Sequence, residues 1–124
     1  MTAAQDAADR VEQLTQLTER LTALISEECR AFEAREPHKA AANLEETSRL
    51  ANLYRHESVR VRNNVALIQA APLDKRMRLI RATEGFEAVL ARHGRALVAA
   101  KTITEGIVRA VADEIADKRA TGAG

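Results

Sequence analysis

Apolar positions recur at three- and four-residue steps through three long stretches of this chain. In the first, Val11, Leu14, Leu17, Leu21, Leu24 with Ile25, Cys29 and Phe32 share one face. That spacing predicts an amphipathic helix of roughly 34 residues, about 50 Å long. In the second, from about His38 to Ala70, Leu44, Thr47, Ala51, Tyr54, Ser58, Val61, Val65 and Ile68 keep a heptad alternation, and Leu50, Leu53 and Leu67 widen the stripe. In the third, Leu79, Thr83, Phe86, Leu90, His93, Leu97, Ala100, Thr104, Ile107 and Val111 make a seam of about five heptads without a proline.

The ends of these stretches carry helix-boundary chemistry. Thr2 and Gln5 have the capping-box spacing, and Asp6 and Asp9 suit the positive end of a helix dipole. Glu36-Pro37 and Ala71-Pro72 each end one helix and fit the first turn of the next. Asp74 falls in that first turn, and Lys118-Arg119 suit a C-terminal dipole end. Short connections make antiparallel neighbours, so the fold class is all-α: an antiparallel helical hairpin plus a long third helix.

The lengths do not match. A third helix of roughly 47 residues is about 70 Å long and outruns a 50 Å hairpin by about 20 Å. The excess then lies beyond about residue 106 and leaves Ile107, Val108, Val111 and Ile115 without an intramolecular partner. Gly85, Gly94 and Gly106 interrupt this stretch, and a turn at His93-Gly94 would instead give a closed four-helix bundle. Residues 1–120 make one domain on either picture, with Thr121-Gly122-Ala123-Gly124 as a disordered tail.

Composition narrows the class. The chain has 124 residues, and its aromatics are Phe32, Tyr54 and Phe86. An Ala-, Glu-, Leu- and Arg-rich chain of this kind suits long helices at close range. No window spans a bilayer and no signal peptide is visible, so a cytoplasmic protein is expected. Net charge is +1, unevenly spread: residues 1–36 carry eight Asp/Glu against four Arg, and residues 37–81 nine Lys/Arg against four Asp/Glu. One reading lays the acidic first helix against the basic second. The other makes Arg55, Arg60, Arg62, Lys75, Arg76, Arg78 and Arg81 a basic patch at one end of the molecule, meeting an acidic surface or phosphates. Few aromatics lie nearby to stack bases, which disfavours nucleic acid.

Catalytic and metal chemistry find little support. Di-iron bundles need Glu-x-x-His pairs, and the residues three before His38, His56 and His93 are Arg35, Leu53 and Leu90. No metal or other cofactor is therefore expected. Cys29 is flanked by Glu27, Glu28 and Glu33, the wrong field for a thiolate nucleophile, and reads as a small buried apolar side chain. His93 reads as a core-edge histidine with one nitrogen reaching water or a carboxylate. No phosphate loop or nucleophile elbow is present, and the chain is not expected to be an enzyme.

The stretches "LTERLTALISEECRAFEARE", "LEETSRLANLYRHESVRVR" and above all "RHGRALVAAKTITEGIVRAVADEIADKR" resemble the successive helices of FlgN-type flagellar export chaperones, in length, order and break positions. The C-terminal helix of that family usually carries asparagines on its seam, where this chain has His93 and Thr104. The resemblance implies a cytoplasmic chaperone of the flagellar type III export system. Such a chaperone holds the C-terminal helices of hook–filament junction proteins and delivers them to export-gate or ATPase components. By similarity the client-holding face would include Leu97, Ile103, Ile107, Val108, Val111 and Ile115. The alternative is a helical adaptor or structural protein that homodimerises through the same face.

Overall fold

The computed structural model describes residues 2–122, with the side chains of Ala3, Ala100, Lys101, Ile103, Thr104 and residues 120–122 left out. Five helices follow in order: α1 (Ala3–Glu33), α2 (Pro37–Ala41), α3 (Leu44–Asn63), α4 (Ala66–Gln69) and α5 (Leu73–Gly122). The described residues form no strand.

Helix α1 starts as its sequence predicts. The Thr2 hydroxyl accepts from the Gln5 amide at 3.1 Å, and the Gln5 side chain accepts from the Thr2 amide at 3.0 Å. It ends on a left-handed residue, Arg35 at φ 60. The Arg35 amide donates to the Phe32 carbonyl and the Glu36 amide to the Ala31 carbonyl, the two bonds of a Schellman turn. The residue at that position is usually glycine, so this turn carries a backbone strain.

The second predicted helix is not one rod. Residues 42–43 break it after α2, and the chain breaks again at Asn64, whose extended backbone (φ −146, ψ 83) ends α3. Asparagine side chains compete with the helix for backbone hydrogen bonds. Here the Asn43 side chain is drawn instead to Glu27, donating at 2.9 Å.

Helix α1 is the axis of the molecule. Helices α2, α3, α4 and α5 all pack on it, α5 most extensively. Helix α3 runs antiparallel to α1, so Arg10 meets Glu57 and Arg20 meets Glu46. Helix α5 runs parallel to α1, since Glu12 meets Arg78 near one end and Glu33 meets Arg92 near the other. One core cluster joins Ala7, Val11 and Ala71, with Ile68 and Leu79 against it. Another joins Leu21, Ile25 and Phe86, with Leu50, Tyr54 and Val89. Two threonines of α1 are buried, and both are satisfied: Thr15 donates to the Val11 carbonyl and Thr18 to the Leu14 carbonyl.

The acidic first helix is balanced chiefly by α5, through Lys75, Arg78 and Arg92, and not by the basic second stretch. Toward α3 the sense reverses, because the arginines Arg10 and Arg20 are on α1 and the glutamates on α3.

Candidate partner-binding face

Helix α5 has 50 residues against 31 in α1. It runs without a break through Gly94, which excludes the turn that a closed four-helix chain requires. A β-carbon at Gly85, Gly94 or Gly106 would meet nothing within 4 Å, so these glycines serve no close packing within the chain.

Arg92 and His93 of α5 reach the C-terminal end of α1. Arg92 donates two hydrogen bonds to Glu33, at 2.9 and 2.8 Å. Those bonds hold the Glu33 carboxyl below the usual carboxylate range, with the Cys29 thiol as a second donor. His93 stands edge-on to Phe32, and its Nε2 lies 3.9 Å from Glu28. Cys29 is buried, and desolvation pushes its thiol upward, as its surroundings in sequence predict.

From Leu97 to Arg119 every described residue is exposed. The sheltered part of α5 therefore stops about ten residues earlier than the expected position near residue 106. The free part is about 40 Å long, not about 20 Å. The difference arises because α1 ends at Glu33 and α3 is shortened by the break at residues 42–43. Leu97, Ile107, Val108, Val111 and Ile115 are between 41% and 63% exposed, on a stretch that no other described element covers. The side chain of Ile103, the remaining member of the expected face, lies outside the described residues.

A mid-helix glycine such as Gly106 weakens this uncovered part by about 1 kcal/mol relative to alanine. The free part of α5 thus carries both an unsheltered apolar seam and a reason to need cover.

The basic residues are only partly brought together. Lys75 and Arg78 turn to Glu12 and Glu19 of α1, and Arg60 turns to Glu57. The Arg76 guanidinium donates to the Ala71 carbonyl at 3.0 Å. Arg55, Arg62 and Arg81 have no ion pair among the described residues. Two of the seven, Lys75 and Arg78, are therefore counter-charges for α1, and the others do not join them there.

Sequence reasoning missed a groove between α3 and α5. Both helices rest on α1, yet they approach one another mainly where the Tyr54 and Phe86 rings meet at 4.8 Å. Ser58, Arg62, Leu79, Thr83 and Leu90 line the walls, over a floor of Leu14 and Leu21. The leucines that widen the second stripe do not line it: Leu53 and Leu67 border a different hollow, beside Ala7 and Leu17 of α1. The described residues include no helix long and apolar enough to cross a membrane.

A flagellar basal-body protein of Caulobacter vibrioides, FlbY, is 61% identical over 121 residues, 98% of this chain and 81% of that protein. The chain belongs to the FlbY family. A flagellar protein follows from that membership. No protein-family model matches the chain, and no solved structure matches it. The FlbY relationship extends over both the sheltered bundle and the free part of α5, since it covers nearly the whole chain.

Proposed function

We propose that this FlbY-family chain is a non-enzymatic cytoplasmic export chaperone of the flagellar type III secretion system. It holds an amphipathic helix of a client, the C-terminal helix of a hook–filament junction protein, against the free part of α5. The observation that carries this reading is the apolar seam of Leu97, Ile107, Val108, Val111 and Ile115, exposed along about 27 Å of helix. Helix-in-groove recognition uses such a seam through anchors three and four residues apart. An exposed apolar run of this extent is otherwise a liability for aggregation. Membership of a flagellar family supports a flagellar role, and the likeness of the three helices to export chaperones motivates the choice of client.

The test is direct. In a strain lacking the chain, junction proteins fail to reach the medium while hook subunits are still exported. The purified chain forms a one-to-one complex with the C-terminal helix of a junction protein. Normal junction-protein export without the chain contradicts the proposal.

A further inference from the structure

We propose that α3 carries a second docking surface, separate from the seam of α5: an arginine-edged wall, Arg55 and Arg62 with Val59 between them, that takes an acidic amphipathic helix of another protein. Positive charge is left over on this helix. Between Thr47 and Leu73 the sequence has four arginines and one carboxylate, Glu57. Glu57 lies 3.5 Å from Arg10 of α1 and 3.9 Å from Arg60, so it is already shared by two guanidiniums. Arg49 acts on the Glu46 carboxylate. Arg55 and Arg62 are exposed and have neither ion pair nor hydrogen bond among the described residues. Glu84 and Glu87, the acids of α5 in the same register, pair with neither of them.

Helix geometry gives the two arginines one direction. Positions seven apart lie within about 20° of one another and about 10.5 Å apart along the axis. Both line a hollow of about 450 Å³, where Val59 stands between them and Phe86 and Leu90 of α5 form the other side. Leu21 and Ile25 of α1 complete its apolar lining. Val59 is 44% exposed, an aliphatic contact on a basic wall.

That combination selects the occupant. A planar guanidinium holds a carboxylate through two parallel hydrogen bonds. Carboxylates seven residues apart on a partner helix repeat the spacing of about 10.5 Å, so one helix laid along α3 meets both arginines at once. Its apolar stripe then faces Val59 and Leu90, as in helix-in-groove recognition. A phosphate backbone brings no apolar stripe, and the one ring of α3, Tyr54, packs against Phe86 instead of standing free for a base. A bilayer surface is broad and does not enter a furrow between two helices. The inference goes beyond the client-holding reading, because it concerns a different helix and a second partner.

The experiment uses the full chain and two synthetic amphipathic helices with the same leucine and alanine stripe and no aromatic residue. One carries Glu at positions seven apart beside the stripe, and the other carries Lys there. The chain has one tyrosine and no tryptophan, and Tyr54 lines the hollow, so its fluorescence reports occupancy. At low salt the Glu peptide should change the Tyr54 emission and bind at least about tenfold more tightly than the Lys peptide. The difference should close at about 1 M salt, where screening acts within a few ångströms. Arg55→Glu with Arg62→Glu should invert the preference. Arg55→Gln with Arg62→Gln should remove it, and this milder pair remains decisive if circular dichroism shows that charge reversal disturbs α3. Val111→Asp should bind the Glu peptide as the wild type does, which separates this surface from the seam of α5. No Tyr54 response to the Glu peptide overturns the proposal. So does equal affinity for the two peptides, or an unchanged preference in the glutamine pair. Loss of binding in Val111→Asp, or equally tight binding of a single-stranded oligonucleotide or of phosphatidylserine vesicles, overturns it as well.

Discussion

His93 stands edge-on to Phe32, with 6.0 Å between ring centroids, at the level where α1 ends and α5 goes on alone. Phe32 lies in the last turn of α1, and four residues past His93 the exposed seam begins at Leu97. This pair marks the boundary between the part of α5 that packs on α1 and the part whose described residues are all exposed.

That boundary predicts opposite costs for two similar truncations. Phe86 is buried at 6% exposure among Leu21, Ile25 and Tyr54. Phe86→Ala should cost about 3 kcal/mol in urea unfolding, from the lost contacts and the cavity. Ile107 is 61% exposed, so Ile107→Ala, measured in dilute solution, should change stability by less than about 0.5 kcal/mol. Equal losses would place Ile107 in the core.

The strained turn after α1 predicts a gain. Arg35 occupies the left-handed region at φ 60 and completes a Schellman turn that glycine fits without steric cost. Arg35→Gly should raise stability by about 0.5–1 kcal/mol, net of the entropy that glycine adds to the unfolded chain. A loss of stability would mean that the arginine side chain matters more than its backbone.

Cys29 should be a slow thiol in the native protein. Burial first, then the hydrogen bond to Glu33, favours its neutral form and raises its titration above the ordinary thiol range. Only the thiolate reacts with iodoacetamide, so at pH 8 alkylation should run far slower than in urea. The native rate should go on rising at pH values where an ordinary thiol has already reached its plateau. Equal rates in the two states would mean that the region around Glu33 and Arg92 is open.

Much of this fold was legible in the sequence, because long heptad stripes and prolines are local signals. The capping box at Thr2, both proline corners and the outrunning third helix are where the pattern put them. The breaks at residues 42–43 and at Asn64 were not legible, since asparagine within a helical pattern is ambiguous until its side chain finds a partner such as Glu27. The length of the free seam was underestimated for the same reason. Which helix balances α1 depends on three-dimensional neighbours, and segment charges alone cannot separate α3 from α5. The α3/α5 groove reflects what the helices leave uncovered, a property no single stripe encodes.

The central claim is that the seam of α5 past His93 binds a partner and does not build the core. Val111→Asp tests it most directly, since Val111 is 51% exposed at the middle of that seam. Calorimetric titration with a junction protein's C-terminal helix should show binding to the wild-type chain and a loss of at least about 1.4 kcal/mol, tenfold in affinity, in the variant. The variant's Tm in dilute solution should move by less than about 4 °C. Unchanged affinity, or an unfolded variant, would contradict the account.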